Sequence, residues 1–511
     1  MSAPQSRGAS GVTYTHAEEG YFDKRGLTRT AGFWGLWGLG VAAVISGDFS
    51  GWNFGIGGAG WGGFLIATVI VTLMYVAMIA SIGEMSAAMP HTGGAYSFAR
   101  SAMGPWGGFV TGLAETIEYV ATTAVIVYFS GQYADSITDT LFGLSMPAWV
   151  WWVILYAVFL LLNIAGAELS FRFALVVAVL SLAVIALFAV MALFSGALDF
   201  GKLFDIEPDG GNSTFLPFGW WQVVLAMPFA MWLYLGIEEL PLAAEESHMP
   251  ARDIPRAGLW GMGTLIISGA LVLVLNPAVM GASAIGESGE PLLDGFRAIL
   301  PNSDVAAILS AFALLGLFAS LQGIMYAYGR NIYSLSRAGY YPKVLSLTGA
   351  RKTPWLALVL GAVIGIVALL LVETGGETAG AIVLNIAVWG AVIAYLLQMV
   401  SFVLLRQKFP NARRPYRSPF GVGGAVFAGA IAALIFVGVM LNEDYRPAII
   451  AIVVVFAVGL AGFAAFGRTR LVLSPEEEYA MSGGLHGDPQ EEGYGAIDVE
   501  DIDPEARSRS V

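Results

Sequence analysis

Ser46-Gly47-Asp48-Phe49-Ser50-Gly51-Trp52 interrupts the first long apolar stretch of the chain, Phe33 to Gly60. A carboxylate at bilayer depth costs about 2.5 to 3.5 kcal/mol even on lenient insertion scales. Asp48 therefore needs a purpose. Glycine costs roughly 1 kcal/mol of helix propensity, so Gly47 and Gly51 predict that the helix unwinds around Asp48. Non-helical backbone survives at that depth only where protein or a water-filled cavity satisfies its N–H and C=O groups. The break reads as one half of a solute site.

Working outward, the rest of the chain is built to match. Of 511 residues 57% are hydrophobic and 12% charged, which excludes an ordinary soluble domain. Apolar runs of spanning length occur at 33–59, 61–89, 105–133, 147–166, 170–196, 219–243, 257–281, 303–336, 354–373, 379–405, 421–441 and 446–467. We number these spans 1 to 12. They are continuous rather than alternating, so the expected fold is an all-α integral membrane protein of twelve transmembrane helices.

An even number of spans puts both termini on one side, and basic residues choose it. Of the 25 Lys and Arg, only Lys202, Arg297 and Arg446 fall on the side opposite the termini. This bias predicts cytoplasmic termini and a cytoplasmic (inner or plasma) membrane location. The net charge of -13 lies mostly in residues 471–511, where eleven acids face Arg507 and Arg509. That tail reads as solvated and disordered. No cleavable leader is visible ahead of residue 30 and there is no cysteine.

Gly55-Ile56-Gly57-Gly58-Ala59-Gly60 spells a G-x-G-x-x-G pattern. It follows no buried strand and leads into no soluble helix, so we read close helix packing and a short turn, with no nucleotide and no nucleic acid. Span 2 ends with Glu84 in its last turns, followed by Pro90, Gly93-Gly94-Ala95-Tyr96 and Arg100. Further on stand Gly236-Ile237-Glu238, Glu245-Glu246, Ile254-Pro255-Arg256, Tyr328-Gly329-Arg330, Arg337 to Pro342, Thr353-Pro354 and the basic run Arg406 to Tyr416. In that order and on those loops the motifs resemble the amino acid-polyamine-organocation permeases, from about Thr28 to Arg470. The wording around Asp48, Ile45 to Asn53, looks most like the ethanolamine permease branch.

The resemblance implies two inverted five-helix repeats, with helices 1 and 6 broken, plus two peripheral helices. The divisions are then a cytoplasmic segment 1–30, a first repeat 31–200, a second repeat 215–405, spans 11 and 12 within 406–470, and the tail 471–511. In such folds solute and coupling ion sit at the midplane between the two broken helices. Span 6 has its own suspicious centre, Trp232-Leu233-Tyr234-Leu235-Gly236-Ile237-Glu238-Glu239. Glu238 and Glu239 also fit the cytoplasmic end of that helix, the reading we favour for Glu239.

Glu115 and Glu118 of span 3 are three apart and share a helical face, with Tyr119 near it. Two intramembrane acids on one face suit a proton or cation, or else hydrogen bonds to a neighbouring helix. Relatives that carry a lysine in span 5 have Ser181 at the matching place here, which departs from one proton-coupled scheme. Ser320 of span 8 stands where relatives driven by sodium use hydroxyls. The coupling ion, Na+ or H+, stays open, and no other cofactor or metal is implied.

Trp34, Trp37, Trp61, Trp106, Trp149, Trp151, Trp152, Trp220 and Trp221 fall near span ends and read as interface anchors. Phe49, Trp52, Tyr119, Trp232, Tyr234 and Trp389 lie deeper, where ring faces attract ammonium groups by roughly 0.5 to 2 kcal/mol or simply pack. A carboxylate at the first break repels a carboxylate solute and attracts an amine. The expected function is import of a small protonated amine, most naturally ethanolamine, by alternating access. Substrate contacts are expected from Ser46, Gly47, Asp48, Phe49, Ser50, Glu115, Glu118, Tyr119, Trp232, Tyr234 and Gly236. Coupling is expected at Glu115, Glu118 or Ser320. An amino acid, GABA or polyamine permease and a non-transporting amine sensor remain as alternatives. An enzyme does not fit, because His16, His91, His248 and His486 all lie in tails or loops.

Overall fold

The computed structural model describes residues 11–15, 21, 23–300, 303–373, 379–410, 412–441 and 446–472. The acidic tail from 473 onward lies outside the described residues. Among them the chain is helical throughout, with isolated bridges in place of strands.

The twelve expected spans are all present among the described residues. Span 1 is Phe33–Val44 followed by a tight 3-10 turn, Ile45–Asp48. Residues 49–52 are a turn, and helix resumes at Asn53. The long helix Asn53–Ala88 bends at Gly60, whose φ of +72° only glycine adopts freely, so 53–59 completes span 1 and 61–88 is span 2. Span 3 is Ala95–Phe142, far longer than 105–133, and it bends at Gly104 just ahead of Pro105. Its far end carries Asp135, Ser136, Thr138 and Asp139, residues that prolong a helix beyond a bilayer as readily as within it. Gly143, with φ +64°, closes it by donating to the Asp139 carbonyl at 2.9 Å.

Spans 4 and 5 are Ala148–Ile164 and Ala167–Phe194. Span 6 is Trp220–Trp232, a turn at 233–236, and a 3-10 segment Ile237–Glu246. Span 7, Pro250–Met280, starts about two turns earlier than 257 because Pro250 occupies the first helical position, where its missing N–H is no loss. Two short helices, Ala282–Glu287 and Pro291–Ile299, lead to span 8, Ser303–Arg337. Spans 9 to 12 are Trp355–Val372, Ala379–Lys408, Gly421–Leu441 and Arg446–Ala465.

Spans 1 to 5 and 6 to 10 form the two inverted five-helix repeats, and each repeat opens with a broken helix. The described residues nearest the two ends meet on one side, where Thr13 and Thr15 donate backbone N–H groups to Arg468 and Leu471 at 2.8 and 2.7 Å. Leu161, Val190, Ile267, Val367, Val437 and Val458 are exposed, as helices facing lipid tails require. Trp34, Trp149, Trp220 and Trp221 are exposed as anchors should be, but Trp152 is buried against Gly131 and Tyr128 and belongs to the packing of spans 3 and 4.

Candidate functional site between the two broken helices

The two breaks touch. A Cβ on Gly47 would stand 2.4 Å from the carbonyl oxygen of Trp232, and one on Gly51 2.6 Å from the Trp232 indole nitrogen, so glycine alone allows this approach. Gly51 also has φ +92°. The Trp232 indole N–H donates to the Ser50 carbonyl at 2.9 Å, and Tyr133 of span 3 donates to the Phe49 carbonyl at 2.8 Å. Through its N–H, Trp232 ties one break to the other.

The free backbone groups of the first break are largely satisfied from within. Ser46 N–H donates to Ser320 Oγ at 2.8 Å, and that hydroxyl donates on to the Ala42 carbonyl at 2.7 Å. Phe49 and Ser50 N–H groups both reach the Ser46 carbonyl, at 3.0 and 3.1 Å, and Gly51 N–H reaches Asn53 Oδ1 at 3.1 Å. The Phe49 ring packs on Gly316 of span 8, where any side chain would collide with it.

Asp48 is 1% exposed, and the one donor beside its oxygens is the Ser268 hydroxyl, which also reaches the Leu265 carbonyl at 3.3 Å. It lies against Ser268 and Gly269 of span 7 and near Leu233 and Tyr234 of span 6. It faces neither lipid nor an arginine. Ser50, whose hydroxyl is buried and without a partner, lies two residues on. Tyr234 shares a hydrogen bond with Thr72 at 2.8 Å.

From Tyr234 a row of tyrosines crosses the protein. Its ring centre is 5.4 Å from that of Tyr75 in span 2, which is 5.7 Å from that of Tyr395 in span 10. Tyr395 donates to Glu118 Oε1 at 3.1 Å. Glu115 receives bonds from Asn331 at 3.2 Å and Tyr119 at 3.4 Å. Glu115 and Glu118 thus share a face as expected, yet each is held by other helices rather than by its neighbour. The structure places Asp48 and Glu118 at opposite ends of the tyrosine row rather than in one chamber.

Glu238 and Glu239 are 4% and 1% exposed, and the helical segment runs on past them to Glu246, so Glu239 is buried and is not the last residue of span 6. Gly236, with φ +112°, aims its N–H at both Glu238 oxygens, each 3.1 Å away. Tyr75 and Tyr395 were missed as well. A polar ring in the middle of an otherwise apolar span was the signal for both. Ser181 bonds back to the Val177 carbonyl at 2.7 Å within span 5 and takes no part in the site.

Several other buried charges of the motifs pair with one another on the side of the termini. Arg330 binds Glu246 at 2.8 and 3.0 Å, Arg337 binds Glu245, and Glu84 holds Arg406 with Arg414 and the Ser418 N–H. On the opposite side a cavity of about 590 Å³ opens between span 3 and the Pro291–Ile299 helix. There Arg297 links Asp294 at 2.9 Å, Glu290 at 3.4 Å and Ser136 at 3.2 Å.

A family model described as amino acid permease matches residues 36–472. An uncharacterised transporter of Rhizobium meliloti is 28% identical over 78% of this chain and 84% of its own length. A probable GABA permease of Pseudomonas aeruginosa is 26% identical over 86% of this chain and 93% of its own. Among solved structures, a mutant of the Eremococcus coleocola manganese transporter shares the fold with a TM-score of 0.51. It is 15% identical over 86% of this chain and 96% of that one.

Proposed function

We propose, from the premise that this chain belongs to the amino acid permease family and is a membrane transporter of amino acids or amines, that its cargo is a small protonated amine. Ethanolamine is the solute that fits best, imported across the cytoplasmic membrane with both termini on the cytoplasmic side. One observation carries the reading: Asp48 is a buried carboxylate at the contact of the two breaks, with the Ser268 hydroxyl beside it and no Lys or Arg partner among the described residues. A lone buried charge is strongly unfavourable, and an incoming ammonium compensates it while being compensated itself.

The backbone of the break supports the choice of an amine that lacks a carboxylate. A carboxylate solute needs free N–H groups at a broken helix. Here the N–H groups of Ser46, Phe49, Ser50 and Gly51 are already engaged. The Ser50 hydroxyl, without a partner, suits the hydroxyl of ethanolamine. A second reading, transport of GABA or another amino acid, is favoured by the relative named as a probable GABA permease. Import of radiolabelled ethanolamine into proteoliposomes tests the proposal, with choline, GABA and alanine as competitors. Uptake displaced by unlabelled ethanolamine and untouched by GABA and alanine is the expected result. Stronger competition by GABA or alanine overturns the cargo, and binding without accumulation overturns transport.

A further inference from the structure

At the far end of the tyrosine row lies a second acidic site. Glu118 is wholly buried; one oxygen accepts from Tyr395, and the other receives no N–H or O–H donor. The side chain of Glu238 lies in hydrogen-bond contact with it. Other groups facing this pair are Glu115 and Tyr119 from span 3, Glu239 from span 6, Tyr75 from span 2 and Tyr395 from span 10. Among the described residues none of the four glutamates has a Lys or Arg partner. One turn beyond Glu118 on the same face, the Thr122 hydroxyl is buried and also lacks a partner.

Two carboxyl groups in contact in a dry site cannot both be bare anions. One proton between them turns repulsion into a charge-assisted hydrogen bond. The surrounding donors complete that arrangement, because Tyr395 O–H serves Glu118 while Gly236 N–H serves Glu238.

The pair also bridges two groups of helices. Span 3 packs chiefly on spans 8 and 10, whereas span 6 packs chiefly on the helix 53–88, and span 7 on that helix and on span 1. Alternating access in inverted-repeat transporters moves one such group against the other around a fixed site. Such a motion would make and break a bond from span 3 to span 6.

We propose that Glu118 and Glu238 are the proton-coupling site of this transporter. A single proton from the medium on one side is held between their carboxyls and released to the other side when spans 1, 2, 6 and 7 rock away from spans 3, 8 and 10. Only O–H bonds form and break. The proposal rests on the reading of the chain as an amine transporter and adds the ion that drives it. It also separates the cargo carboxylate, Asp48, from the proton carboxyls.

The test uses proteoliposomes with a trapped pH dye, under an imposed proton gradient or an imposed sodium gradient. In the parent, ethanolamine added outside carries protons inward, and a proton gradient stimulates uptake several-fold while a sodium gradient does nothing. In Glu118→Gln and Glu238→Gln the proton signal disappears and the residual uptake loses its response to the gradient. Sodium-driven uptake in the parent, or proton movement retained in both variants, overturns the proposal. Infrared spectra of the purified proteins read the pair independently of cargo. At neutral pH each variant should lose one protonated-carboxyl band, and a band unchanged in both overturns the shared proton. If ethanolamine crosses in no arm, the cargo reading fails and the infrared band decides the pair by itself.

Discussion

Asp48→Asn preserves the shape of the side chain and removes its charge. At an effective dielectric near 20, an ammonium about 4 Å from a carboxylate gains about 4 kcal/mol. The asparagine carbonyl still accepts one hydrogen bond, which returns about 1 kcal/mol. The net loss of about 3 kcal/mol is roughly a hundredfold in Kd. The unliganded protein should respond with the opposite sign. Asp48 is 1% exposed with only the Ser268 hydroxyl beside it, so replacing the carboxylate by a neutral amide relieves an unfavourable burial and raises Tm. The assay is thermal unfolding of detergent-purified protein with and without ethanolamine, alongside calorimetric titration. At an ethanolamine concentration 100 times the parent's Kd, binding stabilises the parent by about 2.7 kcal/mol. The variant, with a Kd about a hundredfold higher, gains only about 0.4 kcal/mol. A Tm shift of full size in the variant refutes the ion pair.

Three other outcomes follow from the same geometry. Gly47→Ala should lower Tm and abolish transport, because its Cβ would meet the Trp232 backbone oxygen at 2.4 Å and force the two breaks apart; parental uptake would show that they do not need to touch. Ser320→Ala orphans the buried Ser46 N–H and Ala42 carbonyl and should destabilise by about 1 to 3 kcal/mol in chemical or thermal unfolding, whichever ion drives transport. Glu290 lies in the loop before Pro291, where burial above all pushes its carboxyl up to about 7, against the pull of Ser136 and Arg297. A raised acid adds stability below its ordinary value of 4.5 and loses it as pH rises through about 7, so Tm of the parent relative to Glu290→Gln should fall over that window. Parallel pH profiles would contradict this.

Most of the fold was legible because it follows from solvent. Apolar runs of bilayer length have to be helices, and Gly47, Asp48 and Gly51 in the middle of one have to be a break. The end of span 6 was harder. At about 1.5 Å per residue from Trp220, Glu239 falls roughly 29 Å along a continuous helix, at the far edge of a bilayer. The turn at 233–236 uses four residues with little advance, which leaves Glu239 in the core. The partners of Glu118 were hidden for another reason. A shared helical face shows which residues of span 3 lie together, but not that Tyr395 and Glu238, more than a hundred residues away, meet them. Trp232 illustrates the same limit, since its bond to the Ser50 carbonyl depends on how two distant breaks dock.

The most direct measurement is an experimental structure of the protein with ethanolamine bound. The account predicts the ammonium nitrogen about 3 Å from an Asp48 oxygen, beside Ser50 and Tyr234. An ammonium seated on Glu115 or Glu118 with Asp48 untouched would contradict it.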